Sequence, residues 1–382
     1  MSQTGKPPKL LYLVTEDWYF VSHRLPLAIA ARERGYDVVV ATRVRESGAK
    51  IRDAGLRLIP LDFERASLSP LSEGKTISQL VALYRREAPD IVHHVALKPV
   101  LYGAIAARLA GTKAVVNAIM GLGFVFSSNS AKARFLRPAV QRLMKSALGR
   151  SGARTIVQNA DDLAFLTDNR IAAPGTVRLI PGSGVDVNLY SQAPPPEGVP
   201  TIVLPARLIR PKGVMEFVEA ARRLKQDGLR ARFVLVGAPD PSNPASLTEN
   251  EIRNLAESGV VEHWGWRADM PAVLEAATAV CLPTYYGEGV PKSLIEAAAS
   301  GRAIVTTDTP GCRDIVKHDV NGWLVPPRDV DALTHALRDV ITSPETTRRY
   351  GEQGRHLVRN GFSLEEIVRQ TLAVYDEILP PG

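Results

Sequence analysis

Residues 279–301 read AVCLPTYYGEGVPKSLIEAAASG. Ala279 to Leu282 form a short apolar run of the kind buried in a parallel sheet, and Pro283 ends it. A loop with Gly287 and Gly289 follows, and a helical pattern begins around Pro291 to Ser293, where proline suits a first turn. Backbone amides left free in that turn, together with the positive end of the helix dipole, form a site for a phosphate. Pro291 has no N–H to give, so Val290, Lys292 and Ser293, next to the small Gly289, are the expected donors. Glu288 stands in the loop and Glu296 eight positions later. One acid can face a sugar while the other holds a ribose. Taken singly, each reads equally well as an ordinary helix-entry or solvent-facing charge.

The strand, loop, helix unit recurs in both directions from this stretch. Upstream, Thr201 to Pro205 is followed by ARLIRPKGVMEF, in which Arg207 and Lys212 precede a helix and can neutralise a diphosphate. Fixed cations of this kind stabilise the charge that develops on a departing nucleoside diphosphate. Arg232 to Val236, Arg302 to Thr306 and Gly322 to Val325 supply further strands. Asp329 and Asp331 spell a DxD triplet after two prolines, where helix capping explains them. In the amino-terminal half the strands are Lys9 to Thr15, Tyr36 to Thr42, Ile91 to His94, Ala114 to Asn117 and Thr155 to Gln158, with helical stretches between them. Such alternation predicts parallel sheets covered by helices on both faces.

A chain of 382 residues exceeds one ordinary core and suits two domains. The proline cluster Pro194 to Pro196, with Gly198 and Pro200, places the linker near residues 192–200. The expected division is 1–193, 199–360 and a terminal helix within 361–382 that Ser363 caps. The start, MSQTGKPPKL, does not resemble a signal peptide, and no run of about 18 apolar residues occurs, so a cytoplasmic location with peripheral membrane contact is expected. Cys281 and Cys312 have no second pair for a metal, and no metal or other cofactor is expected.

The net charge of +7 is unevenly placed. No acid lies between Asp90 and Asp161, whereas Lys98, Arg108, Lys113, Lys132, Arg134, Arg137, Arg142, Lys145, Arg150 and Arg154 do. Within this stretch residues 131–150 pattern as an amphipathic helix, with Leu136, Val140, Leu143, Met144 and Ala147 on one face and Arg134, Arg137, Gln141 and Lys145 on another. Two readings stand: a helix in an anionic membrane interface, or a core-packed helix with a wet basic face. Nucleic acid is disfavoured, because no recognition motif accompanies the charge. A dinucleotide enzyme is disfavoured too, since Gly121, Gly123, Gly182 and Gly184 give only fragments of a glycine fingerprint.

ARLIRPKG, VEHWGWRADM, GEGVPKSLIEAAASG and TPGCRDIVKHDVNGWLVPPRD, in that order, resemble the carboxyl-terminal half of glycosyltransferase family 4. EDWYFVSHRLPLA, IVHHVALKPVLYG, VNAIMGLGFVF, IVQNADDLAFL and IPGSGVDVNLY resemble its bacterial members that glycosylate polyprenyl-diphosphate-linked sugars. The resemblance implies two facing Rossmann-like domains (the GT-B fold), with the last helix returning to the first domain, and transfer with retention of anomeric configuration. It implies that Glu288 touches the donor sugar, Glu296 the ribose, Arg207 and Lys212 the diphosphate, and the turn around Gly265, Trp266 and Arg267 the base. UDP carrying an N-acetylhexosamine is the leading donor; a UDP-hexose, GDP-mannose, or a nucleotide-sugar 2-epimerase of the same fold are the alternatives. On the acceptor side the candidates are Ser22, His23, His94, Lys98, Asn117, Gly121 and Gly123. His94 suits proton exchange at neutral pH and equally suits a buried structural position. Many family members carry a histidine where this chain has Asn117, which leaves the general base unassigned.

Overall fold

The computed structural model describes residues 6–62, 70–122, 131–150 and 152–379, with the backbone alone at 70–72, 131–133 and 136. Gly123 and the Lys132 side chain, both singled out above, lie outside the described residues. The chain divides into two compact units, Met1–Ser183 with Glu365–Gly382, and Gly184–Leu364. The division falls ahead of the proline cluster at Pro194, so residues 184–198 belong with the second unit.

The first unit is built on a parallel sheet of strands β1 (Lys9–Glu16), β2 (Asp37–Arg43), β3 (Arg57–Pro60), β4 (Ile91–Val95), β5 (Ala114–Ile119), β6 (Ala153–Val157) and β7 (Val177–Leu179). Their order is β3-β2-β1-β4-β5-β6-β7. Chain direction across the sheet therefore reverses between β1 and β4. Every residue of β4 and β5 is buried, because helices cover both faces and leave neither side for water. Leu10, Tyr12 and Val14 pack on one face, while Leu11 and Leu13 pack on the other with Leu80, Leu83 and Tyr84.

The terminal helix Leu364–Ile378 belongs to this unit, as the resemblance implies. It buries Ile367, Thr371, Leu372, Val374 and Tyr375. The Tyr375 hydroxyl lies 2.8 Å from that of Tyr12 and 2.6 Å from His93 Nδ1, and Glu377 pairs with Arg154 and Arg178.

The second unit repeats the plan with β8 (Thr201–Pro205), β9 (Arg232–Val236), β10 (Glu262–His263), β11 (Ala279–Leu282), β12 (Ala303–Thr307) and β13 (Gly322–Val325), all parallel, in the order β10-β9-β8-β11-β12-β13. Here the reversal lies between β8 and β11. Asp329 caps the helix Val330–Thr342 by accepting from the Ala332 amide at 2.9 Å, the capping role read for the DxD triplet.

Candidate functional site

In open parallel sheets, ligands bind beyond the carboxyl ends of the strands, where strand order reverses. In the second unit that point is flanked by the loops leaving β8 and β11, which carry Arg207 and Lys212 on one side and Glu288 on the other. Lys212 Nζ donates to Glu288 Oε1 and Oε2 at 2.6 and 2.5 Å. Thr284 Oγ1 donates to Glu288 Oε1 at 3.2 Å and to the Pro211 carbonyl at 3.1 Å, so one hydroxyl ties both loops together. The Tyr285 amide also donates to the Pro211 carbonyl, at 3.0 Å.

Two glycines permit this closeness. Gly213 has φ +76°, and a Cβ there would stand 2.2 Å from the Pro283 carbonyl oxygen. Gly311, in the loop after β12, has φ +83°, and its Cβ would stand 1.9 Å from the Gly289 carbonyl oxygen. Any other residue would be strained in the left-handed region and would also push the Glu288 loop away.

The helix after this loop runs from Lys292 to Ala299 with Pro291 as its N-cap, one position outside the first turn expected for it. The amides of Leu294 and Ile295 bond back to the Pro291 carbonyl, so those of Lys292 and Ser293 belong to the turn that helix geometry leaves open. Val290 is 6% exposed, and its side chain packs into the core with Leu294 and Ile295, leaving only its backbone for a ligand.

Glu296 is not a solvent-facing charge: it is 8% exposed, with Lys292 Nζ 3.5 Å away and the Tyr190 hydroxyl beside it. Burial pushes its carboxyl above the ordinary range, and Lys292 and Tyr190 offset this in part. Arg355 Nη1 donates to the Tyr190 carbonyl at 2.7 Å and to that of Ala299, and so locks Tyr190 to the end of the same helix.

Arg207 and Lys212 do not form an unpartnered cationic pair. Arg207 Nη1 donates to Asp240 Oδ2 at 2.6 Å, and Lys212 is held by Glu288. Trp266 is 72% exposed, and Arg267 pairs with Asp269 through two contacts of 2.8 and 2.5 Å. Arg267 borders an open depression of about 400 Å³ with Trp264, Ala272, Val273 and Ala276, in which Trp266 takes no part.

Several acceptor-side candidates prove to be interior. His94 is fully buried, with Nε2 3.0 Å from the Tyr84 hydroxyl and Nδ1 2.9 Å from Asn117 Oδ1. Burial pushes its pKa down to about 4, against the weaker upward pull of the Asn117 contact. With both ring nitrogens engaged in the core, His94 takes the structural position and is withdrawn as a catalytic candidate. Asn117 is also fully buried, with Oδ1 against His94 Nδ1 and Nδ2 without a hydrogen-bond partner among the described residues, and is withdrawn from the acceptor side because it lies in the interior. Lys98 Nζ donates to Glu73 Oε1 at 3.1 Å. His23 stacks on Tyr19 at 4.2 Å, with Nδ1 3.2 Å from the Tyr19 carbonyl, beside the exposed Ser22. Gly121 turns the chain after β5 with φ +96°.

Sequence reading missed Thr284, Asp240, Tyr190 and Arg355. Thr284 sits in the quoted loop, where a hydroxyl next to a strand end was the available signal. The other three reach the site only through the fold.

The basic helix runs from Ala131 to Leu148. Its Met144, Ala147 and Leu148 are buried in the core, so that part of the apolar stripe faces the sheet. Phe135 is 85% and Leu143 45% exposed, next to the exposed Arg134, Arg142 and Lys145.

Residues 9–151 match the family model for 4-like glycosyl transferases, and residues 199–343 that for group 1 glycosyl transferases. Among characterised relatives, the chain is 27% identical over 371 residues to N,N'-diacetylbacillosaminyl-diphospho-undecaprenol alpha-1,3-N-acetylgalactosaminyltransferase of Campylobacter jejuni, covering 93% of this chain and 95% of that one. It is 26% identical to the Escherichia coli UDP-Gal:alpha-D-GlcNAc-diphosphoundecaprenol alpha-1,3-galactosyltransferase, over 82% of each. Among solved structures, sucrose-phosphate synthase of Thermosynechococcus elongatus shares the fold, with a TM-score of 0.79 at 21% identity over 97% of this chain and 99% of that one. With two parallel sheets that each reverse strand order, the site loops emerging at the reversal of the second, and both halves matched, the chain belongs to the group 1, family-4-like glycosyltransferases of GT-B fold.

Proposed function

We propose that this protein is a retaining glycosyltransferase that moves an N-acetylhexosamine from UDP to a polyprenyl-diphosphate-linked sugar during assembly of a bacterial surface glycan. The observation that carries the reading is the Lys212–Glu288 pair, held by Thr284 across the β8/β11 reversal and next to an open helix N-terminus. The donor diphosphate lies against the amides of Val290, Lys292 and Ser293, and Lys212 and Arg207 neutralise it. Lys212 then divides its charge between Glu288 and phosphate. Glu288 accepts from a sugar hydroxyl and Glu296 from the ribose, while Arg267 and the Trp266 backbone border the base.

As the glycosidic bond to phosphate breaks, positive charge spreads over the anomeric carbon and ring oxygen. The leaving phosphate, on the same face as the incoming hydroxyl, stabilises that charge and accepts the hydroxyl's proton. No enzyme nucleophile is needed and the configuration is retained. The polyprenyl-linked acceptor is supported by the names of the two relatives above, and the UDP donor by the second. The N-acetylhexosamine follows the first.

The substrate is membrane-borne, and Phe135 with Arg134, Arg142 and Lys145 supplies a contact for the anionic inner face of the cytoplasmic membrane. Each basic residue near such a surface adds about 1 kcal/mol. The test is release of nucleoside diphosphate from UDP- and GDP-sugars, with and without polyprenyl-diphosphate-sugar acceptors, by wild type and Glu288→Ala. Release that requires both the lipid acceptor and Glu288 is expected. Epimerisation of free UDP-N-acetylhexosamine with no transfer to any acceptor would replace this reading by the 2-epimerase.

A further inference from the structure

The first unit has its own reversal point, between β1 and β4, and a buried cation stands there. Arg24 joins the helices Asp17–His23 and Leu25–Glu33 just beyond the carboxyl end of β1, and it is 4% exposed. Among the described residues its Nη2 meets only the sulfur of Met120, at 2.6 Å, and its Nε is sealed from solvent without a hydrogen-bond partner. No carboxylate among the described residues pairs with it. Of the two nearest in sequence, Asp17 is committed elsewhere, and Glu16 faces two other arginines with no hydrogen bond to its buried Oε2 among the described residues. Asp17 accepts from the amides of Trp18, Arg45 and Ser47 at 2.8, 2.7 and 2.9 Å, and Glu16 sits 3.8 Å from Arg43 and 3.3 Å from Arg45. The chain beyond Met120 holds no acid before Asp161.

A second buried group is unsatisfied in the same sheet, opposite Tyr12 of β1. His93, on β4, is fully buried, and its Nε2 has no partner. Its Nδ1 lies 2.6 Å from the Tyr375 hydroxyl, itself 2.8 Å from that of Tyr12. If Tyr12 donates to Tyr375 and Tyr375 to Nδ1, the ring carries its proton on Nε2 and presents a donor. Arg24 acts on His93 through space and helps keep the ring neutral, after burial. A buried guanidinium whose Nε lacks an acceptor and a buried imidazole whose Nε2, in that tautomer, is an unpartnered donor are completed by an anion.

We propose that Arg24 and His93 Nε2–H form an oxyanion subsite in the first unit that binds one phosphate group of a diphosphate ester. Which diphosphate rests on the transferase reading: there it is the diphosphate of the lipid-linked acceptor. The shared chemistry is a phosphate oxyanion, and its source is either that lipid or a free diphosphate.

The test measures thermal shift and calorimetric binding with inorganic pyrophosphate and with geranyl diphosphate. Wild type is compared with Arg24→Met and Arg24→Lys, each also in a Lys212→Ala background that removes the donor-side cation. Pyrophosphate is expected to stabilise wild type through both the donor site and this subsite, and Lys212→Ala chiefly through this subsite, where apparent affinity falls at least about tenfold when Arg24→Met is added. Arg24→Met without ligand is expected to melt no lower than wild type, because a chain of similar reach replaces an unpaired charge. Binding that Arg24→Met leaves unchanged would overturn the subsite. So would a ligand-free Arg24→Met that melts well below a wild type indifferent to pyrophosphate, since Arg24 would then be structural. Geranyl diphosphate binding at least tenfold tighter than pyrophosphate supports the lipid source, and equal binding overturns that source. If wild type transfers no sugar while pyrophosphate binding still depends on Arg24, the transferase reading fails and the subsite stands.

Discussion

Gly311→Ala should damage the second unit and its activity through geometry alone, because the added methyl group carries no chemistry. Its Cβ would lie 1.9 Å from the Gly289 carbonyl oxygen, 2.6 Å from that carbonyl carbon and 3.0 Å from the Glu288 oxygen. All are backbone atoms, so no side chain can swing aside. Relief to an acceptable contact demands movement of about 1 Å in the loop that carries Glu288. The left-handed conformation at φ +83° costs alanine about 1 kcal/mol relative to glycine, and overpacking adds about 1–3 kcal/mol. Together these give about 2–4 kcal/mol, or a melting temperature lower by roughly 5–15 °C for a unit of this size. A displacement of about 1 Å at reacting groups costs about 100-fold in kcat/KM. Calorimetry and steady-state kinetics check both numbers against Gly175→Ala, where a Cβ meets nothing within 4 Å. A Gly311→Ala protein that melts within a degree of wild type, with unchanged kcat/KM, would refute the view that this contact sets the Glu288 loop.

Glu296→Gln should lose donor affinity yet raise the melting temperature at neutral pH. A carboxyl whose folded pKa is raised favours the fold below its unfolded value, and that contribution is lost as pH rises through the folded value, so the gain over wild type should vanish near pH 4. Unfolding curves across pH 4–8 test the sign. Phe135→Ser should weaken co-sedimentation with anionic vesicles by roughly thirtyfold, from about 2 kcal/mol of aromatic burial, while soluble UDP binding stays at the wild-type level. Equal sedimentation would remove the helix Ala131–Leu148 from the membrane contact.

The internal strands were legible because burial on both faces writes a continuous apolar run, and β8, β9 and β11 have the boundaries read from sequence, as does the edge strand β13, which stays largely buried. The strands β3, β7 and β10 were not. RLIP, VRL and EH lie on the outer side of their sheets, where half-exposure removes the apolar signal. The Glu288 loop and its helix were readable for a related reason, since glycine, proline and acid lie within one local stretch. What partners these groups was not readable. Asp240 neutralises Arg207 from the loop after β9, and Tyr190 reaches Glu296 from outside the sheet altogether. Long-range pairing of that kind depends on strand order, which no local pattern encodes.

His94 shows how the same limit produces a wrong role, and its correction makes a prediction. A histidine near the end of a strand in an acceptor-side segment has the pKa a general base needs, so sequence favours function and structure equally. The fold decides through Tyr84 and Asn117, which occupy both ring nitrogens in a fully buried site. Burial lowers the folded pKa to about 4 from an ordinary 6.5. The neutral ring therefore stabilises the fold above the ordinary value, and that contribution is lost as pH falls from 6.5 to about 4, by about 3 kcal/mol in all. Against His94→Gln, wild type should lose more stability over this window, and kcat/KM between pH 6 and 8 should show no inflection that the variant abolishes. An inflection near pH 6.5 that disappears in His94→Gln, with the variant's melting temperature unchanged, would return His94 to the chemistry and refute its assignment to the core.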